Sequence, residues 1–356
     1  MASKIFLSLF LVGWFFLGKA QVDGNLSLET QGKKKYDTTH ITSYTHLLAL
    51  KLYGVNKSNV ISLFDDQTGQ TINYRPNDKY NIGFGFNYQW IGLDLAFNLL
   101  FINDDDEVFG ETKRFDIQWN LYGRRTVIDV NYQSYTGYYI ANPESYIPNW
   151  NANDPVYPLR PDMASANFGV SALYIFNHKR FSYKAAFIYN ERQKKSAGSF
   201  LLGPYFSFFT IQADSSIVPF ELRDSFNPNI AFAGSNFSNL GVAIGYAHTF
   251  VIKQKFFISL TLALGLGAET ITTNNEDTSL DRNKTEPSAR VAGRFSMGYN
   301  SDKFFIGLSS VGDTFGTGNE DEPWLQYSVN NFRMFIGRRF SVGNWFGKKK
   351  VQPEKS

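Results

Sequence analysis

The sequence predicts an all-β chain, a closed antiparallel transmembrane β-barrel of about 14 strands (range roughly 12–16) behind an N-terminal signal peptide. Three observations predict it. Apolar and polar residues alternate with period two along most of the chain, in stretches of about ten residues, the span of a tilted membrane strand. The turns between these stretches keep the apolar set on one face. The only long apolar run lies at the N-terminus, and it is shorter than a comfortable membrane helix.

The export signal comes first. In "MASKIFLSLFLVGWFFLGKAQ", Lys4 supplies a positive start, Ile5–Leu17 the apolar run, and Gly18-Lys19-Ala20 a small-x-small cleavage site. Residues 1–20 therefore read as a signal peptide and residues 21–44 as a flexible periplasmic leader. Residues 45–340 read as the barrel, and 341–356, with "GKKK", as a basic polar tail.

Weak strands are expected near 46–54, 58–64 and 69–75. Clear ones follow near 79–90, 93–101, 112–123, 126–136, 165–177, 180–191, 199–212, 239–252, 256–269, 288–300, 303–312 and 325–338. In "YNIGFGFNYQWIGLDLAFNLLF" the apolar set is Tyr80, Ile82, Phe84, Phe86, Tyr88 and Trp90, then Leu93, Leu95, Phe97, Leu99 and Phe101. "FSYKAAFIYN" reads the same way, with Phe181, Tyr183, Ala185, Phe187 and Tyr189 outward. Turns at Ile91-Gly92, Arg124-Arg125, His178-Lys179, Lys253-Gln254-Lys255 and Ser301-Asp302 all preserve the apolar side, as register demands. The turns at 91, 124 and 178 fall on one side of the membrane. Those at 253 and 301 fall opposite unless a further strand lies between 192 and 238. The alternation slips at Asn330-Asn331, which reads as a bulge. Aromatic residues near strand ends (Tyr80, Trp90, Phe101, Tyr189, Phe250, Tyr299 and Phe304) resemble interfacial girdles.

Composition narrows the function. With 35 basic and 32 acidic residues the chain is too balanced for a nucleic-acid partner. It has no cysteine, which excludes disulfides, thiol catalysis and cysteine-ligated metal. The partners expected of such a barrel are outer-membrane lipid and, during biogenesis, the barrel-assembly machinery.

"YRPN" (Tyr74–Asn77), "NIGFGFNYQWIGLDLAF", "GYY" (Gly137–Tyr139) and "GYAHTFVIKQKFF" (Gly245–Phe257) resemble a Bacteroidota family of outer-membrane barrels known as domain of unknown function 4421. The resemblance spans Thr45 to Phe340. It implies a barrel located in the outer membrane; it carries no activity, cofactor or catalytic residue.

The candidate site residues are charges that parity places on the polar face: Asp94, Arg114, Asp116, Asp129, Lys184, Arg290, Arg294 and Arg333. They read as a salt-bridge network filling the lumen or as the lining of a narrow pore. Gln89 is expected opposite Asp94 and Asn120 opposite Asp129, so the counter-charges come from other strands. The 137–162 loop holds Tyr138, Tyr139, Tyr146, Trp150 and Tyr157, which suit ligand stacking in a surface receptor or packing over the barrel mouth. The acidic loops "NDDDEVFGE" and "NNEDTSLDRNKTE" lack calcium-loop spacing and read as solvated, with no metal. A lipid-modifying acyl hydrolase is the enzymatic alternative. It would use His248 with a nucleophile such as Ser310, but no GxSxG elbow is present. The reading carried forward is non-enzymatic, without cofactor: a plugged barrel or narrow pore in the outer membrane.

Overall fold

The structure, a computed structural model, describes residues 36–341 except 66–67, 89–90, 99–103, 148–149, 151–155, 225, 227–231, 275–281 and 318–323. The signal peptide, the leader to residue 35 and the tail from 342 lie outside the described residues. Fifteen strands are described: β1 (Ile41–Ser43), β2 (Leu48–Asp65), β3 (Gln70–Arg75), β4 (Tyr80–Tyr88), β5 (Ile91–Asn98), β6 (Lys113–Tyr122), β7 (Thr126–Ile140), β8 (Leu159–Ile175), β9 (Glu191–Gln193), β10 (Ala197–Gln212), β11 (Gly234–Ile252), β12 (Phe256–Asn274), β13 (Arg282–Asn300), β14 (Phe304–Thr317) and β15 (Trp324–Phe340).

Ten of these strands close a ring. β2, β3, β7, β8 and β10 to β15 pair antiparallel in that order, and β15 pairs back onto β2. Closure leaves no sheet edge around this ring at the level where β3 meets β7. The end where Leu48 pairs with Phe340 is called the lower end here. β3 and β4 are two halves of one passage along β2. β3 pairs with Ile61–Asp65 and β4 with Ala49–Asn56. β3 touches β7 only through Tyr74 with Ile140 and Arg75 with Tyr139. Below that junction the wall widens, and the β4–β5 hairpin and β6 fill the sector. The wall thus has ten strands above and twelve passages below, rather than fourteen.

The lower part wears an apolar belt. Outward side chains such as Phe84, Phe97, Trp119, Phe200, Ile244 and Leu264 are exposed. Their inward neighbours on β10–β12, such as Ala243, Ala263 and Ser259, are buried. That is the pattern of a lipid-facing wall. Above the belt the alternation inverts without any slip of backbone. On β2, Leu50 and Leu52 face out, whereas Ile61 and Leu63 face in and are fully buried. β15 does the same, with Met334 and Ile336 outward but Leu325 and Tyr327 inward. The expected bulge at Asn330-Asn331 is therefore absent. β15 keeps one register with β14 and β2 throughout, and the apolar residues change sides because the strand leaves lipid and lines an apolar interior. The one described register shift in the ring lies between Thr136 and Tyr138 on β7. Gly137 takes φ 92° there, and a Cβ would strike the Glu111 carbonyl, so glycine is required.

The expected strand over 180–191 does not form. The chain after β8 turns inward at Asn177 and makes a short helix, Tyr183–Phe187, then β9. Ser182 caps the helix, accepting from the Ala185 amide at 3.2 Å. Phe181, Tyr183, Ala185, Ala186 and Tyr189 are all buried, on every side of the segment. A short apolar run cannot distinguish a lipid-facing strand from a segment buried all round. Tyr189 is accordingly an interior residue and not part of a girdle. Removing this strand also restores the sidedness of the turns, so no extra strand is needed between 192 and 238. The predicted strands 46–54 and 58–64 merge into β2.

Three turns sit where expected or close to it. Gly123 pairs across to Thr126, its amide donating to the Thr126 carbonyl at 2.8 Å, and Ile252 pairs with Phe256. Asn300 pairs with Phe305, which moves the next turn to Asp302-Lys303 without changing parity. Tyr88 pairs with Ile91, so the first turn is Gln89-Trp90, outside the described residues. Gly85, not Gln89, lies opposite Asp94. A Cβ at Gly85 would collide with the Asp94 carboxylate and the Lys51 stem, so this glycine makes room for an ion pair.

Candidate functional site: the barrel lumen

The lumen is filled in three layers. The floor is the segment between β8 and β10, tied to residues just before β2. β1 pairs with β9, so Ile41–Ser43, read from sequence as the end of the leader, joins the floor. Tyr189 adopts φ 67° and its ring lies against Phe305 and Phe335, with centroids 5.1 and 4.5 Å away. Arg339 donates to the Tyr189 carbonyl from Nε at 3.1 Å and to Asn300 Oδ1 at 2.8 Å. Tyr183 and Thr261 share a hydrogen bond at 2.8 Å, and Ser296 donates to the Ala186 carbonyl at 2.7 Å. Arg124 pairs with Glu191. Tyr44 donates to Asp302 at 2.6 Å and holds that turn carboxyl below its usual range.

The middle layer is ionic. Asp94 lies between Lys51 at 2.7 Å and Arg333 at 3.0 Å. Asp116 meets Lys57 at 2.8 Å and accepts from Gln133 at 2.8 Å and Tyr135 at 3.0 Å. Asp129 pairs with Arg294, which also donates to the Tyr122 hydroxyl at 2.5 Å. Asn120 lies opposite Asp129, as expected. Arg290 pairs with Asp313 through Nε at 2.7 Å. Arg114 donates to the Asn77 carbonyl. Such pairs survive burial because each charge keeps a partner and further hydrogen bonds.

The roof is formed by the described residues of the β10–β11 connection, 213–224, 226 and 232–233, which fold into the mouth. Ile217, Val218, Leu222, Phe226 and Phe232 pack on inward residues of the wall, including Ile61, Met163, Phe209 and Ile271. The Tyr74 hydroxyl donates to the Ile217 carbonyl, and Arg160 donates to the Ser216 carbonyl at 3.0 Å. Burying one such side chain stabilises the fold by about 1.5–3 kcal/mol.

Of the eight charges expected on the polar face, seven lie on inward strand positions. Lys184 does not: it sits on the floor helix. Sequence reasoning missed Lys51, Lys57 and Asp313 as partners. Lys51 lies between Leu50 and Leu52, so strict parity on the weak first strand identifies it. Asp313 follows the predicted end of its strand by one residue.

The loop aromatics separate. Tyr138 points into the wall and its hydroxyl meets Ser165 at 2.5 Å. Tyr139, Tyr157 and Trp150 cluster with Phe109, with ring centroids 4.9–5.7 Å apart, so their faces are turned on one another. Tyr146 packs against the roof, and burial raises its phenol to about 12. Asp105 and Asp106, from the first acidic loop, bind Lys79 at 3.0 and 2.6 Å. Most of the second acidic loop lies outside the described residues. His248 faces outward and meets the Tyr246 hydroxyl at 3.2 Å. Among the described residues, no Ser or Asp hydrogen-bonds to it.

Among solved structures, the chain is similar to the outer-membrane protease OmpT of Escherichia coli, with 8% identity, a TM-score of 0.37, and 84% of this chain and 98% of that chain covered. It is also similar to the translocator domain of the autotransporter NalP from Neisseria meningitidis, with 10% identity, a TM-score of 0.33, and 94% and 98% covered. A third is the Pseudomonas putida toluene transporter TodX, with 7% identity, a TM-score of 0.25, and 83% and 90% covered. No curated protein matches the chain. Residues 35–340 match the family described as a domain of unknown function (DUF4421), and the chain belongs to that family.

Proposed function

We propose that this chain is an outer-membrane barrel closed along its axis by its own residues, a non-enzymatic envelope component rather than an open porin. One observation carries the reading. The 176–196 connection below and the described residues of the β10–β11 connection above bury apolar side chains in the lumen, with ion pairs between them. The outward belt and the N-terminal export pattern support placement in the outer membrane, after cleavage behind Ala20 and insertion by the barrel-assembly machinery.

Planar-bilayer recording tests this. The intact chain is expected to conduct very little, and replacing 178–195 with a short polar turn is expected to raise conductance. A large, stable open pore in the intact chain would overturn the plugged reading. Recovery in the soluble periplasm, without heat-modifiable gel mobility, would overturn the location.

A further inference from the structure

One sector of the wall differs from the rest. β5 and β6 are consecutive passages at belt height, with Leu93, Phe97, Ile117 and Trp119 exposed outward. Every other neighbouring pair around the lower wall shares a ladder. Among the described residues, β5 pairs only with β4, and β6 only with β7. Backbone amides and carbonyls along a free edge at hydrocarbon depth are costly unless something meets them. The inward side chains confirm a gap. Ala96 on β5 and Asn120 on β6 are exposed, whereas Ala243, Ala263 and Ser259 elsewhere at this height are buried.

The seam is closed at its top and held from behind. Above it, the Asn77 amide donates to Asp105 at 2.9 Å, Asp106 at 3.0 Å and the Gly110 carbonyl at 3.1 Å. Thr112 donates to the Gly137 carbonyl at 2.8 Å. Behind it, Lys51 and Arg333 hold Asp94 on β5, and Lys57 holds Asp116 on β6. Asn331 donates to Gln118 on β6 at 3.0 Å. Among the described residues, the two strands are thus anchored to β2 and β15 through side chains. Two cations, Lys51 and Arg333, share the single carboxylate of Asp94 there. The hydrogen bond of Arg114 goes to a carbonyl, not a carboxylate.

We propose that the β5–β6 seam is a lateral binding site for the phosphate headgroup of an anionic membrane lipid. The headgroup enters between the two edges toward Arg333 and Lys51, while the acyl chains lie along the outward Leu95 and Ile117 side chains. Phosphate oxygens supply a second negative charge beside Asp94 and acceptors for amides along the strand edges. The exposed apolar residues flanking the seam favour a lipid over a free anion. This inference does not depend on whether the axis of the barrel conducts.

The test uses the full chain folded in detergent, titrated with phosphatidylglycerol, phosphatidylcholine or inorganic phosphate and read by native mass spectrometry. One phosphatidylglycerol per chain should be retained, in preference to phosphatidylcholine. Lys51→Gln and Arg333→Gln should each weaken retention about tenfold, the loss of one charge-assisted hydrogen bond. Because the chain has no cysteine, Asn120→Cys provides a single thiol. Its reaction with a water-soluble maleimide should slow when phosphatidylglycerol is bound. Asn120→Trp leaves every cation in place and should block retention while heat-modifiable mobility persists. This keeps the test valid if a charge variant fails to fold. Equal retention of the two lipids, phosphate binding as tight as lipid, or retention unchanged in the variants would overturn the proposal. So would a dimer that protects the thiol without lipid, which would make the seam a contact between copies.

Discussion

The belt and the collar above it are built from the same strands, yet they read as opposites. In the belt, β12 presents Leu260, Leu262, Leu264 and Leu266 outward and Ser259, Thr261 and Ala263 inward. In the collar, Ile271 faces inward on the same unbroken register and packs in the roof. The polar contents differ too. The belt encloses ion pairs above an aromatic floor, whereas the collar encloses an apolar core. The difference teaches that period-two alternation reports which solvent each face meets and not which face points out. Lipid outside demands one phase and water outside the other, so a single strand carries both.

The largest effect expected from breaking this arrangement is in the belt interior. Arg294→Ala leaves Asp129 without its cation and should destabilise by about 3 kcal/mol, the low end for a broken buried pair because Asp129 is partly exposed. Urea unfolding in vesicles measures it. A wet, open lumen would show almost no loss and a shift in ion selectivity instead.

The next effect compares one outward face at two heights. Leu262→Arg, near the middle of the belt, should cost about 2–4 kcal/mol, whereas Thr270→Arg, in the collar, should cost under about 1 kcal/mol. The same unfolding assay checks both. Equal costs would mean that the belt does not end below Thr270.

The smallest effects are electrostatic and opposite in sign. Burial raises Asp78, in the link above β4, to about 6, against the favourable pull of Ser58 and Arg114. The folded state binds its proton more tightly, so stability should rise as pH falls from about 6 toward 4, by about 2 kcal/mol at most. Asp302, at the floor, is held low by Tyr44, so its contribution is present above the ordinary carboxylate pKa and is lost as pH falls through the folded value. Asp78→Asn should abolish the first trend and Asp302→Asn the second, each read from the pH dependence of the unfolding midpoint.

Much of the site was legible because strand parity is local. Seven of the eight lumen charges follow from whether a residue is odd or even relative to its lipid-facing neighbours. Lys184 failed because it lies in "FSYKAAFIYN", where Phe181 and Tyr183 look like lipid anchors but bury inside. The pairings were not legible. Arg294 meets Asp129 and Arg333 meets Asp94 across the barrel, at sequence separations of 165 and 239, which no local pattern encodes.

By itself the sequence determined that this chain is a β-barrel with a lipid-facing belt. It also determined that charges line the interior. Those properties follow from alternation and turn length, which depend only on neighbours along the chain. Tertiary structure alone decided that twelve passages narrow to ten, and that 176–196 and the described residues of the β10–β11 connection fold inward as floor and roof. It alone decided that, among the described residues, no ladder joins β5 to β6. Each of those outcomes turns on what lies across the barrel or beyond its wall. A residue buried by lipid and one buried by its own chain satisfy the same hydrophobic demand, so the sequence writes them alike.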